Sequence, residues 1–227
     1  MQFRFGGTLM DDEWAQVMRY YGYYDNICPG DIRKLCADAN GEGIVLEVNC
    51  DGGDLMVGNE IYSILKSYGG EVTAHIQSRS ASAATVAMMG ASRITAEPVA
   101  LVCVHNPTTY ASGEECDMWR TAETLSSCKE AILNAYMCRA KVTRKEMAAL
   151  MDRDIFITAQ KAQEYGLVDF VTDSTGEGII LNAGRESHFP TQKMIQEYRE
   201  RKEKREQETQ NQEMNRLSAR AFLDKYR

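Results

Sequence analysis

The sequence predicts an α/β fold with crossover connections. Short β-branched runs bounded by glycine alternate with stretches whose apolar residues recur at helical spacing. The chain has 227 residues, 44% of them hydrophobic, enough for one domain with a substantial core plus an appendage. No stretch approaches the roughly 20 apolar residues that a membrane span needs.

The first forty residues predict a short strand and a helix. Asp11-Asp12-Glu13 precede Trp14, Val17 and Met18, so acids stand where a helix start favours negative charge. Ile44–Val48 is short, β-branched and followed by Gly52-Gly53, which reads as a buried strand ending in a break. Val57, Ile61, Ile64, Leu65 and Tyr68 then recur at helical spacing until Gly69-Gly70. Val72–Ile76 reads as the next strand, Ser82–Met89 as a helix start, and Val99–Val104 as a third strand that delivers His105. From 113 to 140, Met118, Ala122, Leu125, Ile132, Leu133, Tyr136 and Ala140 mark a long helix. Thr143, with Glu146 three residues on, is a capping box for a second one. Thr158 to Tyr165 makes a short helix that Gly166 stops.

Residues 172–190 read as a loop, with Gly176, Gly178, Gly184 and Pro190. Beyond them the chain divides: 1–190 is the predicted main domain and 191–227 a charged helical extension. Arg199 to Glu213 holds no apolar residue, although Glu197–Arg201 and Glu200–Lys204 are favourable i,i+4 pairs. Met214, Leu217, Ala221 and Phe222 restore an apolar stripe at the end.

The net charge of -7 is unevenly spread: residues 1–190 carry a balance of -10 and 191–227 a balance of +3. An acidic body argues against a nucleic-acid surface, because phosphate contacts need clustered cations. Seven cysteines are scattered with no CxxC pair, which fits free thiols in a reducing, cytoplasmic compartment. The N-terminus shows no apolar run of signal-peptide length. No GxxxxGK[ST] loop is present, and neither a metal nor another cofactor is expected.

The chemistry centres on Ser82, in the small-residue run Ser80-Ala81-Ser82-Ala83-Ala84. A serine hydroxyl needs a base within hydrogen-bond reach and a third group to orient that base. The chain has three histidines. His75 lies inside a strand and His188 in the loop before the extension, whereas His105 leaves a strand end just where loops build sites. A nucleophile at a helix start places the Ala83 N–H beside a developing oxyanion. Gly52 or Gly53 can supply a second donor, since glycine permits close backbone approach. The orienting acid is open between Asp152 and Asp154, which flank Arg153; one can hold His105 while the other pairs with Arg153.

Gly52-Gly53 after a strand, Ala81-Ser82-Ala83, His105-Asn106-Pro107, Arg153-Asp154-Ile155-Phe156 and Ala162–Asp169 together resemble the proteolytic subunit of Clp proteases. The resemblance runs from about Phe5 to Val171. His105-Asn106-Pro107 and Met10-Asp11 leading into a Trp-containing helix are similar to the phage and prophage branch, which would make a head-maturation or protein-processing role the expectation. The resemblance implies a Clp/crotonase-like spiral of ββα units with a protruding handle helix at 113–140. It also implies a serine endopeptidase with Ser82 as nucleophile, His105 as general base and Asp154 as acid. Gly52, Gly53 and Ala83 would line the oxyanion hole, and residues 52–56 would bind substrate backbone by strand addition. The family forms stacked heptameric rings, and Asp152 and Arg153 match residues that pair between rings and link assembly to activity.

Three departures stand out. Ser78 replaces a usual glycine, and Arg79-Ser80 replace small apolar residues, which would narrow or polarise the site. Some twenty N-terminal residues that meet a AAA+ unfoldase in housekeeping members have no counterpart, which argues against that partner. The charged extension has no housekeeping counterpart either. Two other readings use the same residues: a crotonase-fold acyl-CoA enzyme, and a non-catalytic ring component.

Overall fold

A computed structural model describes residues 1–172. The loop at 173–190, His188 and the charged extension 191–227 lie outside the described residues. In chain order the elements are β1 (Gln2–Leu9), α1 (Asp12–Tyr20), β2 (Asn26–Ile27), α2 (Pro29–Ala39), β3 (Ile44–Gly53) and α3 (Leu55–Ser67). There follow β4 (Val72–Ala81), α4 (Ala83–Met88), β5 (Arg93–Ala96), β6 (Leu101–Val104) and α5 (Glu115–Met137). The series closes with α6 (Arg144–Met151), β7 (Ile155–Thr158), α7 (Ala159–Tyr165) and β8 (Phe170–Val171).

The strands β2-β1-β3-β4-β5-β8 form one parallel path. Consecutive parallel strands need crossovers, and the helices between them provide these. β4 divides its far edge. Thr73–Ile76 pair with β5, whereas Arg79–Ala81 pair with β6. β6 in turn carries β7 antiparallel, with Val104 opposite Ile155. β4 thus runs from the main sheet into a second ladder, and Ser82 is the next residue.

Alternation decides which face is covered. In β3, Ile44, Leu46, Val48 and Cys50 are buried, while Val45, Glu47 and Asn49 are not. These buried residues join Ile32 and Leu35 of α2 and Val57, Ile61 and Leu65 of α3 in one core. Each fully buried aliphatic side chain contributes about 1.5–3 kcal/mol relative to exposure. Gly58 of α3 lets α4 approach: a Cβ there would lie 2.7 Å from the Ala83 carbonyl oxygen.

The predicted helix starts are found where the capping chemistry puts them. Asp11 caps α1 by accepting from the Trp14 amide at 2.8 Å. Thr143 and Glu146 form the capping box of α6, and Thr158 caps α7. Gly166 ends α7 at φ 84, a left-handed position that suits glycine.

Four expectations need correction. The first forty residues form two strands and two helices, because Pro29 at the first helical turn starts α2. The third strand begins at Leu101, and Arg93–Ala96 forms a separate strand before it. The long helix spans 115–137 and buries only its C-terminal part, through Ile132, Leu133, Ala135 and Tyr136. Of residues 52–56, Leu55 and Met56 already belong to α3, so only Gly52 to Asp54 are extended.

Candidate active site

Ser82 stands between β4 and α4 with φ 56 and ψ -131. Few residues other than glycine occupy that region, and holding serine there costs about 1–3 kcal/mol. Surrounding contacts enforce it. The Ser82 amide donates to the Cys103 carbonyl at 3.1 Å, and the Ser82 carbonyl accepts from the Thr85 and Val86 amides. Thr85 Oγ1, fully buried, also donates to the Cys103 carbonyl at 3.1 Å and lies 3.3 Å from Ser80 Oγ. Two buried hydroxyls therefore lock the turn onto β6. Sequence periodicity carries no sign of this pair.

The locked turn aims the hydroxyl. Ser82 Oγ lies 2.7 Å from His105 Nε2, and both side chains are half-buried. For the hydroxyl to donate to Nε2, the ring proton must sit on Nδ1. His75 has a structural role: Nδ1 lies 2.9 Å from Thr95 Oγ1 and Nε2 3.1 Å from Glu97 Oε1.

One rung beyond the Val104–Ile155 pair, the β6/β7 ladder brings the chain positions of His105 and Asp154 together. Asp154 has φ 46, left-handed for a non-glycine residue. Its charge reaches this face of β6: the Cys103 thiol is pushed up first by burial and then by the Asp154 carboxylate. The hydrogen bonds among the described residues include none between Asp154 and His105. Asp152 is engaged elsewhere. Its carboxylate accepts from Asn106 Nδ2 at 2.9 Å and from Lys129 Nζ at 2.8 Å, and these two bonds hold it below the usual carboxylate range. Arg153 forms no ion pair within the chain among the described residues. Lys129 is a partner that sequence reading missed, since nothing in the sequence links positions 129 and 152.

The glycine pair lies against the turn. A Cβ on Gly52, at φ 97, would lie 2.8 Å from Ser82 Cβ and 3.0 Å from the Ala83 amide nitrogen. Only a residue without a side chain leaves that space open. The first-turn N–H groups of α4 have no intrahelical partner, so the Ala83 amide is a donor bordering the space. Gly53 lines the adjoining cleft, which has a volume of about 350 Å³. Ser82, Ala83 and His105 sit at its base, Asn106 to Thr109 form one wall, and Leu125, Cys128 and Ile132 of α5 form the other. Ser78-Arg79-Ser80 do not line it. Ser80 is buried against Thr85, and Arg79 pairs outward with Asp51 at 2.7 Å. The expectation that they narrow or polarise the site is thereby corrected.

Among the described residues no group of His, Cys, Asp and Glu has metal-binding geometry, and no helix is long and apolar enough to cross a membrane.

Comparison with known proteins adds a family. The family model described as Clp protease matches residues 24–175. The ATP-dependent Clp protease proteolytic subunit of Bacteroides fragilis is 27% identical over 170 residues, covering 74% of this chain and 77% of that protein. The protein of the same name from Chlorella vulgaris is 28% identical over 143 residues, covering 62% and 71%. The ATP-dependent Clp protease proteolytic subunit 2 of Corynebacterium diphtheriae is 27% identical over 180 residues, covering 78% and 85%. With more than half of its length matched by that family model, over the segment that carries the serine, the histidine and the cleft, this chain belongs to the Clp protease family.

Proposed function

We propose that the chain is a serine endopeptidase acting through an acyl-enzyme on Ser82. The observation that carries this reading is the 2.7 Å contact between Ser82 Oγ and His105 Nε2 at the base of an open cleft. His105 takes the Ser82 proton on Nε2 as Oγ attacks the scissile carbonyl. The tetrahedral oxyanion forms in the space beside Gly52, where the Ala83 amide and a backbone amide of the glycine pair donate to it. His105 then protonates the leaving amine, the peptide C–N bond breaks, and water deacylates the enzyme by the same route in reverse roles. The Nδ1 proton of His105 needs an acceptor while the ring becomes an imidazolium. Asp154, at the end of the β6/β7 ladder, is the carboxylate assigned to it. A looser acid–base contact in the unliganded chain is common and tightens with substrate.

The substrate is a polypeptide laid along the extended Gly52–Asp54 segment, with a side chain between Met56, Val86, Leu125 and Ile132. The apolar character of that wall favours an aliphatic or aromatic residue on the acyl side. The working form is a ring-shaped homo-oligomer, heptameric single or double rings by family likeness. Asp152 and Arg153 link assembly to activity, and any ATP dependence arises through an unfoldase partner. Processing of proteins in the cytoplasm, including a phage or prophage head-maturation role, fits the phage-like motif around His105.

The test is labelling by a fluorophosphonate probe with hydrolysis of a fluorogenic peptide. Wild type is labelled at Ser82, and Ser82→Ala loses both activities by at least 10³-fold, the scale of losing a triad member. Labelling that persists in Ser82→Ala overturns the assignment. Retention of the chain on immobilised coenzyme A, without peptidase activity, would instead support an acyl-CoA enzyme.

A further inference from the structure

The Asp152 carboxylate joins two segments that no other described side chain joins. Asn106, the residue after His105, donates Nδ2 to Asp152 Oδ1 at 2.9 Å, and Lys129 of α5 donates Nζ to the same oxygen at 2.8 Å. Asn106 begins one wall of the cleft, and Lys129 follows Cys128 on the other. We infer that Asp152 is a positioning residue that sets the width of the cleft from within a single chain, by clamping the loop after His105 to helix α5. The inference rests on the serine-peptidase reading for its kinetic consequence, although the clamp itself stands on geometry alone.

Two features show why the clamp matters. Asn106 Oδ1 is buried with no partner among the described residues. Leaving a buried acceptor unsatisfied costs about 1–3 kcal/mol. Turning the amide over would set that oxygen against the carboxylate, so the bond to Asp152 fixes both the amide and the start of the loop. Helix α5 is the second. Its buried anchor begins at Ile132, whereas its wall residues Thr121, Thr124 and Leu125 lie further toward its N-terminus. Lys129 is thus the first tie to the body reached from those wall residues. Arg144 of α6 also holds α5, through Glu130 and Asn134, but does not touch the His105 loop. Among the described side chains, Asp152 alone hydrogen-bonds both Asn106 and α5. A purely inter-ring role for Asp152 gives Lys129 and Asn106 no function.

The test uses the full chain with Lys129→Met, Lys129→Arg, Asn106→Ala and Asp152→Ala. Three assays are run on each: peptide kinetics for kcat and KM, light scattering for assembly mass, and hydrogen exchange of segments 105–114 and 121–129. Lys129→Met is expected to raise KM about two- to fivefold with a smaller fall in kcat, the scale of one partly exposed ion pair. Lys129→Arg restores the wild-type values. Asp152→Ala lowers kcat/KM about tenfold, and adding Lys129→Met to it costs no more. Exchange in both segments quickens in Lys129→Met while the assembly mass stays unchanged. Wild-type KM and wild-type exchange in Lys129→Met overturn the clamp. So does a loss in Asp152→Ala that follows assembly mass alone. If wild type is not labelled at Ser82, the peptidase reading fails, and the exchange data still decide the clamp.

Discussion

Alanine at Gly52 tests whether the space beside Ser82 is where a reacting oxygen sits. The added methyl would lie 2.7 Å from the Ala81 carbonyl oxygen, 2.8 Å from Ser82 Cβ and 3.0 Å from the Ala83 nitrogen, on backbone at φ 97. Two costs fall on the folded state: backbone strain of about 1–3 kcal/mol and overpacking of about 1–3 kcal/mol. Together they cost about 2–6 kcal/mol, so over most of the usual stability range of about 5–15 kcal/mol the variant stays folded at 25 °C, with melting lowered by ~2–4 °C per kcal/mol. The effect on catalysis is separate. A methyl in front of the Ala83 amide displaces the oxyanion from its donor, and losing one such donor costs about 10²–10³ in kcat. Unfolding can mimic a hundredfold loss only if all but about 1% of the protein is unfolded, which circular dichroism detects. Gly69→Ala is the control, since its methyl would meet nothing within 4 Å. The assay is peptide hydrolysis per folded molecule. A folded Gly52→Ala variant within threefold of wild-type kcat/KM would refute the oxyanion placement.

Two further outcomes concern the fold and the thiols. Arg19 spans both Asp31 oxygens, at 3.0 and 2.6 Å, and also Asn26 Oδ1 at 2.9 Å. Arg19→Met is expected to cost about 2–3 kcal/mol, read as a fall in melting temperature at pH 7. Burial raises the Asp31 carboxyl, but Arg19 and Cys28 outweigh it and hold the group below the usual 3.8. Its contribution is therefore whole above the ordinary carboxylate range and is lost as pH falls through the depressed value, so wild type and variant converge in acid. Mass spectrometry after brief alkylation at pH 8 should find label on exposed Cys116 and Cys138. Cys28, pushed up to about 12 mainly by burial, and Cys50, pushed up to about 11 by the same cause, should label only in denaturant.

What the sequence made legible follows from the range of the interactions involved. Local chemistry was readable: Asp11, Thr143 and Thr158 cap helices because the cap bond spans only a few residues. Strand β3 was readable from alternation against one covered face. Arg93–Ala96 was missed because four residues, one of them charged, give no period to read. The Ser82–His105 pairing was legible through the scarcity of histidines, not through geometry. The acid was not: residues alone left Asp152 and Asp154 equal, and only the resemblance chose between them. What the structure adds is nonlocal: β7 returns to β6, and a lysine 23 residues upstream takes up Asp152. The left-handed backbone at Ser82 was equally hidden, since serine carries no propensity for it and the enforcing bonds come from Cys103 and Thr85.

The β6/β7 pairing has a consequence for how such a chain can diversify. The polypeptide departs at His105 and comes back at Asp154, and both positions adjoin the last rung of one ladder, Val104–Ile155. Everything in between, including α5 and α6, is an excursion with both ends pinned at the same place. Lengthening it costs little loop entropy, since each doubling of a flexible connection adds only about 0.6 kcal/mol. Insertions there can reshape what enters the cleft or what the chain assembles with, while the chain positions of His105 and Asp154 stay where the β6/β7 strands put them.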